Sequence, residues 1–302
     1  MAKNKKIFCF THYDLDGVGT YLVTKWAHPG YKVEYKALTG FEIRQDINEW
    51  LLTHNFSDYE RVFFLDLDMS SVADLIDHEN VMLIDHHKSH EDAKISQQLY
   101  KNAVPIVKEY PSACLLAYKV FKKLYDSKFT TEQKTMVLYT NDYDSYKHEF
   151  KESKMLNVIF WNTQKSFDAF VETYADGYKP FTKEQLAIHR IFENELARVI
   201  SELKVFQGGH ADDDGEYRVV VATFADKHIN DISDHLLSKY DCDVIIIINL
   251  KSKHVSFRRP KNGTMKLQDF AKYIADGGGH EYSAGGTITD VFMDFTKTLK
   301  PI

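Results

Sequence analysis

Short apolar runs alternate with helix-compatible segments along the first half of the chain. Four runs have the length and composition of buried strands: KIFCF (6–10), YKVEYKAL (31–38), RVFFLDLD (61–68) and VMLID (81–85). The segments at 17–28, 43–54 and 70–78 are compatible with helices. This alternation predicts an α/β fold with a doubly wound, mainly parallel sheet.

Helices are predicted in the middle of the chain, and a second α/β pattern follows in its last third. Helices are predicted at 111–126, 131–141 and 181–204, and a loop at 208–215. Further strands and helices follow: YRVVVATF (217–224), a helix near 229–239, DVIIIINL (243–250), HVSFRR (254–259) and a helix near 266–275. We therefore expect a first domain at 1–180, a connecting helix at 181–205 and a second, smaller α/β domain at 206–302.

Composition and charge narrow the class of protein. The 302 residues are 44% apolar and 27% charged, which is typical of a soluble globular protein. A net charge of −6 excludes a basic protein that coats nucleic acid. The three cysteines are widely spaced, in neither a disulfide nor a zinc pattern, so a reducing, cytoplasmic setting is expected. The longest apolar run, VIIII (244–248), is far too short to span a membrane.

Acids and histidines follow four segments of the first half. They are His12, Asp14 and Asp16 after KIFCF; Asp66 and Asp68 after RVFFL; Asp85, His86 and His87 in LIDHH; and Asp142 and Asp144 after KTMVLYTN. In parallel α/β sheets, ligands bind outside the carboxyl ends of the strands. We therefore expect these side chains to converge at one edge of the sheet.

Such a set of side chains is suited to a metal centre. Carboxylate oxygens and imidazole nitrogens without a thiolate favour Mn²⁺, Mg²⁺ or Zn²⁺. Crowded carboxylates would repel one another without a cation, and two divalent ions about 3.5–4 Å apart would resolve that repulsion. Spacing alone leaves two choices open. Asp68 can instead cap a helix that starts near Ser70, leaving Asp66 as the ligand, and either Asp142 or Asp144 can face the centre.

The order THYDLDGVGT, FFLDLD, LIDHH and TNDYD resembles the DHH phosphoesterase superfamily, named for its Asp-His-His motif. In the second half, HVSFRRP and GGGHEYSAGG are similar to the DHH-associated substrate domain, so the resemblance covers residues 12 to 286. The resemblance implies these metal ligands: His12 and Asp14 for one ion, Asp16 and His86 for the other, Asp66 as a bridge, and Asp142 to complete the first site.

The resemblance also implies roles for two residues beside the metals. His87 would hold a phosphate oxygen or act as a general acid, and Asp85 would orient a histidine. In the second domain, the segment DGGGHEYSAGG is too rich in glycine for an ordinary helix or strand. Its backbone N–H groups are expected to grip a phosphate or nucleotide at Gly278, Gly279 and His280, together with Arg258 or Arg259. The alternative is a hairpin-like turn and surface arginines.

These features predict a two-metal phosphodiesterase, with Mn²⁺ the most suitable ion and Mg²⁺ also compatible. Its expected substrates are short oligonucleotides or linear dinucleotides, released as nucleoside monophosphates. The small second domain and the acidic net charge fit short substrates better than a long strand, which is expected to need an extended basic groove. The alternatives are a single-strand DNA exonuclease and a phosphatase of cyclic dinucleotides or 3′-phosphoadenosine phosphate. A non-catalytic nucleotide-binding protein is disfavoured, because no ligand position is missing. The sequence leaves open RNA or DNA, cleavage polarity, and monomer or homodimer.

Overall fold

The apolar runs of the first half form one parallel sheet. This computed structural model describes residues 5–39, 42–211, 217–279 and 282–302. It divides into two units, Met1–Arg190 and Ile191–Ile302. In the first unit, five strands pair in the order β2-β1-β3-β4-β5, all parallel. Their bounds are β1 Lys6–His12, β2 Lys32–Leu38, β3 Arg61–Leu65, β4 Val81–Asp85 and β5 Val104–Val107.

Helices cover both faces of this sheet. The helices are α1 Leu15–Ala27, α2 Ile43–Leu51, α3 Ala73–Ile76, α4 Lys88–Gln97, α5 Ala113–Leu124, α6 Thr131–Asp144, α7 Lys151–Asn162 and α8 Ser166–Thr173. Short 3₁₀ turns lie at Phe56–Asp58 and Ser70–Val72. Successive residues of β1 enter two separate cores, with Cys9 on one face of the sheet and Phe10 on the other. The predicted doubly wound α/β fold is confirmed.

The strand order decides where a site can form. The chain leaves β1 for the edge strand β2, and it then returns to β3 on the other side of β1. The carboxyl ends of β1 and β3 therefore flank the switch point, where doubly wound sheets leave a crevice. His12 is the last residue of β1, and Asp66 follows β3 directly.

The second unit is built on a mixed sheet. Its seven strands pair in the order β10-β11-β9-β8-β7-β6-β12, with β7 and β8 parallel. The strands are β6 Val205–Ala211, β7 Tyr217–Phe224, β8 Val244–Asn249, β9 His254–Arg258, β10 Gly278–Gly279, β11 Ser283–Thr287 and β12 Lys300–Pro301. The helices are α9 Lys183–Ser201, which begins in the first unit, α10 Ile229–Lys239, α11 Leu267–Ala275 and α12 Asp290–Thr296.

Two sequence predictions for the second unit are wrong. Residues 208–211 lie in β6, antiparallel to β7, and not in a loop. The glycine-rich segment contains two paired strands, β10 and β11, so its backbone does form strand. Close packing explains the glycines, because a Cβ on Gly286 would lie 2.4 Å from the carbonyl oxygen of Ala275.

Candidate metal centre

The end of β1 and the start of α1 supply three of the predicted ligands. His12 Nδ1 lies 2.8 Å from Asp14 Oδ2, and Asp14 also caps α1 by accepting a hydrogen bond from the Gly17 N–H. Glycine is required at position 17, because a Cβ there would lie 2.0 Å from the His12 carbonyl oxygen. Asp16 already belongs to the first turn of α1, so its side chain joins a different group from that of His12 and Asp14.

Asp16 connects the centre to the start of α5. Its buried carboxylate accepts hydrogen bonds from the N–H groups of Ala113 (2.7 Å) and Cys114 (3.0 Å). A helix N-terminus favours a negative charge, so α5 helps to hold the carboxylate in place. Asp16 Oδ2 also lies 3.8 Å from His86 Nε2.

Asp66 lies between the two histidines. Its Oδ2 is 3.8 Å from His12 Nδ1, and its Oδ1 is 3.4 Å from His86 Nε2. It has a positive φ of 57°, which ends β3 abruptly and turns the chain. Asp68 instead accepts hydrogen bonds from the Ser70 N–H and the Ser89 hydroxyl, as expected of a capping residue. The structure thus brings Asp66 into the cluster and leaves Asp68 outside it.

The end of β4 presents two histidines with different partners. His86 Nδ1 donates to the carbonyl oxygen of Tyr110 at 3.0 Å, which leaves Nε2 directed at the carboxylates. His87 Nδ1 lies 2.7 Å from Asp85 Oδ1, and Asp85 is fully buried. Burial alone would raise the pKa of Asp85, but hydrogen bonds from His87 and His90 hold it well below its usual range.

The fourth segment differs from the sequence-based preference. The structure brings Asp144, and not Asp142, to His86, with Asp144 Oδ2 3.6 Å from His86 Nε2. The Asp142 carboxylate accepts hydrogen bonds from the N–H groups of Glu149 and Phe150 and from the Ser153 hydroxyl. The two acids are two positions apart on α6, so they cannot both face the same side of the helix.

The residues present fit divalent cations. Three groups of side chains each bring their candidate ligand atoms within 4.8 Å of one another: His12, Asp14 and Asp66; Asp66, His86 and His87; and Asp16, His86 and Asp144. Burial, together with the neighbouring Asp14 carboxylate, raises the pKa of Asp16 to about 6, although His86 acts in the opposite direction. Burial and neighbouring carboxylates also raise the pKa values of Asp66 and Asp144. The buried Oδ2 of Asp144 has no hydrogen-bond partner. A cation would relieve this repulsion and give that oxygen a partner.

We expect the metal-free protein to lose stability as the pH rises from about 4 to about 6. The folded chain keeps a proton on Asp16 up to about pH 6, whereas the unfolded chain releases it near the ordinary value of 3.8. The folded state therefore binds more protons in this window, and its free energy of unfolding falls as the pH rises. Melting temperatures measured in chelator and in Mn²⁺ check this. Mn²⁺ should raise the melting temperature more at the upper end of this pH window than at the lower end. An equal increase at both ends would contradict the prediction.

The predicted substrate-binding residues all belong to the second unit. Arg258 ends β9, where its guanidinium donates to the Phe257 carbonyl oxygen (2.9 Å) and to Asn230 Oδ1 (2.7 Å). Gly278 and Gly279 form β10 and are exposed. His280 lies outside the described residues.

One residue at the site was missed by the sequence reasoning. His90 is fully buried and contacts Asp85 from the first turn of α4. The available signal was its spacing, since it follows His87 by three positions and residues so spaced share a helix face.

Comparisons with known proteins agree with this architecture. The model of the DHH family, N-terminal domain, matches residues 6–142, and that of the DHHA1 domain matches residues 216–301. No curated protein matches the chain.

Among the described residues, none of the helices has the length and apolar character needed to cross a bilayer.

Solved structures share the fold at low sequence identity. A pGpG-specific phosphodiesterase, PggH from Vibrio cholerae, is 13% identical with a TM-score of 0.57, over 97% of this chain and 96% of that one. An exopolyphosphatase-related protein from Bacteroides fragilis is 15% identical with a TM-score of 0.55, over 98% and 91%. RecJ in complex with Mn²⁺ from Thermus thermophilus is 12% identical with a TM-score of 0.58, over 98% and 51%.

Proposed function

We propose that this chain, which belongs to the DHH phosphoesterase superfamily, is a phosphodiesterase that hydrolyses short oligonucleotides or linear dinucleotides to nucleoside monophosphates. The observation that carries the proposal is the sharing of Asp66 and His86 between adjacent groups of ligand atoms. Two neighbouring cations need two sets of ligand atoms that lie side by side and share at least one residue. Two-metal sites are widely used for phosphoester chemistry.

The proposal assigns a ligand set to each of two divalent ions. Asp66 would bridge them, with His12 and Asp14 on one side. On the other side, Asp16, His86 and Asp144 would complete the set. When bound, such a pair acidifies a water for attack on phosphorus and neutralises charge on the phosphate oxygens. The mixture of imidazole and carboxylate ligands favours Mn²⁺ over Mg²⁺, which prefers oxygen ligands. RecJ structures contain either Mn²⁺ or Mg²⁺, which supports divalent ions of this kind.

The protein's own groups would act on the substrate from the edge of the centre. His87 is held through Nδ1 by Asp85, so its Nε2 is the nitrogen that would meet a phosphate oxygen or the leaving oxygen. His86 keeps its Nδ1 on the Tyr110 carbonyl, which fixes the orientation of its ring. In this assignment, Asp85 and Tyr110 position the two histidines without meeting the substrate.

Two observations support a short substrate. This chain and the pGpG-specific phosphodiesterase cover each other almost completely, at 97% and 96%. The net charge of −6 also disfavours a long polyanion, whose binding needs an extended basic groove.

The test is a hydrolysis assay with Mn²⁺ and 5′-labelled substrates. We would compare pGpG, an RNA of about five nucleotides and single-stranded RNA and DNA of about 24 nucleotides. We expect the dinucleotide to be hydrolysed fastest and the His86→Ala variant to be inactive. Preference for the long DNA would favour the exonuclease alternative, and hydrolysis of a cyclic dinucleotide would favour the phosphatase alternative. No Mn²⁺-dependent turnover of any phosphodiester would overturn the proposal.

The glycines of β10 allow a further prediction. A Cβ on Gly278 would meet nothing within 4 Å, so Gly278→Ala should fold normally. If a phosphate approaches this backbone closely, the added methyl group should raise KM by about tenfold. Gly279 has a φ of 151°, and its Cβ would lie 2.4 Å from the Ser283 carbonyl oxygen, so Gly279→Ala should lower the melting temperature. KM and melting curves for both variants check this, and an unchanged KM in Gly278→Ala would remove this segment from the binding site.

A further inference from the structure

Asp85 holds a second histidine that the proposed metal centre does not use. His90 lies on the first turn of α4 and is fully buried. Its Nδ1 is 2.8 Å from Asp85 Oδ2, and its Nε2 is 2.7 Å from the Tyr100 hydroxyl. Asp85 Oδ1 is 2.7 Å from His87 Nδ1. These contacts form one connected chain, Tyr100–His90–Asp85–His87, that runs from the core beneath α4 to the edge of the centre.

The direction of each hydrogen bond follows from the chemistry of the groups. Burial and the nearby carboxylates of Asp68 and Asp85 raise the pKa of Tyr100, so its phenol remains protonated. The phenol can therefore donate its proton to His90 Nε2. A neutral imidazole that accepts at Nε2 carries its own proton on Nδ1, and that N–H donates to Asp85 Oδ2. Asp85 Oδ2 then accepts this hydrogen bond.

We propose that Tyr100 and His90 are a positioning pair, which fixes the orientation of the Asp85 carboxylate and thereby sets the tautomer and ring orientation of His87. With Asp85 Oδ2 occupied by His90, Oδ1 is aimed at His87 Nδ1. His87 then keeps its Nδ1 proton on Asp85 and presents Nε2 outward. The proposal deepens the proposed function, since it rests on His87 being the residue that meets the substrate phosphate. Neither member of the pair touches substrate in this scheme.

The burial of His90 indicates that this side chain does more than fill space in the core. A histidine with no exposed surface must satisfy both ring nitrogens, and each has a partner here. An aliphatic side chain would fill the same space at lower cost, but it would leave one oxygen of a buried carboxylate without its donor. Asp85 would then be held through Oδ1 alone, by the His86 N–H and His87 Nδ1, and the position of His87 Nε2 would be less well determined.

The first test measures tautomers in the metal-free protein. Two-bond ¹H–¹⁵N spectra of protein labelled with ¹⁵N-histidine should show wild-type His90 as the Nδ1–H tautomer. The Tyr100→Phe variant should lose this preference while the chain remains folded. Tyr59→Phe is the matched control, because Tyr59 is a tyrosine of the same unit that packs in the core, and its hydroxyl donates to Glu34 and not to His90. An Nε2–H tautomer at wild-type His90 would overturn the proposal.

The second test separates positioning from stability by kinetics. Tyr100→Phe and His90→Leu should lower kcat for pGpG by about 10- to 100-fold with little change in KM. His90→Asn should restore much of kcat, because its amide can donate near the position of Nδ1. Equal kcat values for Tyr100→Phe and Tyr59→Phe would overturn the positioning role. Equal kcat values for His90→Leu and His90→Asn would do the same. If wild-type protein hydrolyses no phosphodiester, the proposed function fails, and the tautomer measurement still decides whether the pair exists.

Discussion

Replacing Asp66 with asparagine is expected to abolish hydrolysis and at the same time to stabilise the metal-free protein. Asp66 is buried among Asp14, Asp16 and Asp85, and burial together with these charges raises its pKa. Asparagine removes the charge that this environment opposes, so the melting temperature in chelator at neutral pH should rise by about 2–4 °C. The same change removes the proposed bridge, so kcat/KM should fall by at least about 10³-fold.

Asparagine is the appropriate replacement because of the backbone. Asp66 has a φ of 57°, and asparagine adopts that region more readily than alanine. Asp68→Asn is the matched control, since Asp68 lies two residues away and contacts Ser70 and Ser89. We expect Asp68→Asn to remain active and to lose about 1 kcal/mol of stability, because an amide has one acceptor oxygen where the carboxylate uses two. Retained activity in Asp66→Asn would contradict the assignment of Asp66 as a ligand. Loss of activity in Asp68→Asn alone would transfer that assignment to Asp68.

Much of the first sheet could be predicted from the sequence because its strands are buried on both faces. Such strands appear as continuous apolar runs, and RVFF and VMLI are unambiguous for this reason. The acids that follow them had to be placed at the carboxyl edge once the sheet was parallel. By contrast, β5 at Val104–Val107 is an edge strand that contains a proline, and its short, partly exposed run gave no comparable signal.

The choice between Asp142 and Asp144 depended on the length of α6. The sequence suggested that this helix ends at residue 141, whereas it continues to Asp144. Once the helix is extended, the face that carries Met136, Val137 and Thr140 points to Asp144, although Asp142 is also buried, where it accepts a hydrogen bond from Ser153. Met136, Val137 and Thr140 are buried, and Asp144 lies eight, seven and four positions after them, on the same face. The information was present in the apolar periodicity, but the acids themselves obscured the helix end.

Asp144→Asn and Asp142→Asn are expected to have opposite effects on metal binding and on stability. Asp144 is partly buried near Asp16 and His86, and its buried Oδ2 lacks a hydrogen-bond partner. Losing its charge should weaken Mn²⁺ binding by about 10- to 100-fold and lower kcat, without destabilising the metal-free protein. Isothermal titration calorimetry with Mn²⁺ and melting curves in chelator measure the two effects separately.

Asp142→Asn should instead lower stability by about 1–3 kcal/mol and leave Mn²⁺ affinity nearly unchanged. Burial alone would raise the pKa of Asp142, but hydrogen bonds from Ser153 and from the N–H groups of Glu149 and Phe150 lower it. A carboxylate whose pKa is lowered by folding stabilises the fold at pH values above its pKa in the unfolded chain, and this stabilisation is lost as the pH falls. The difference in stability between Asp142→Asn and wild type should therefore shrink in acid. Weakened Mn²⁺ binding in Asp142→Asn, with normal binding in Asp144→Asn, would return the ligand role to Asp142. That result would require the end of α6 to turn when metal binds.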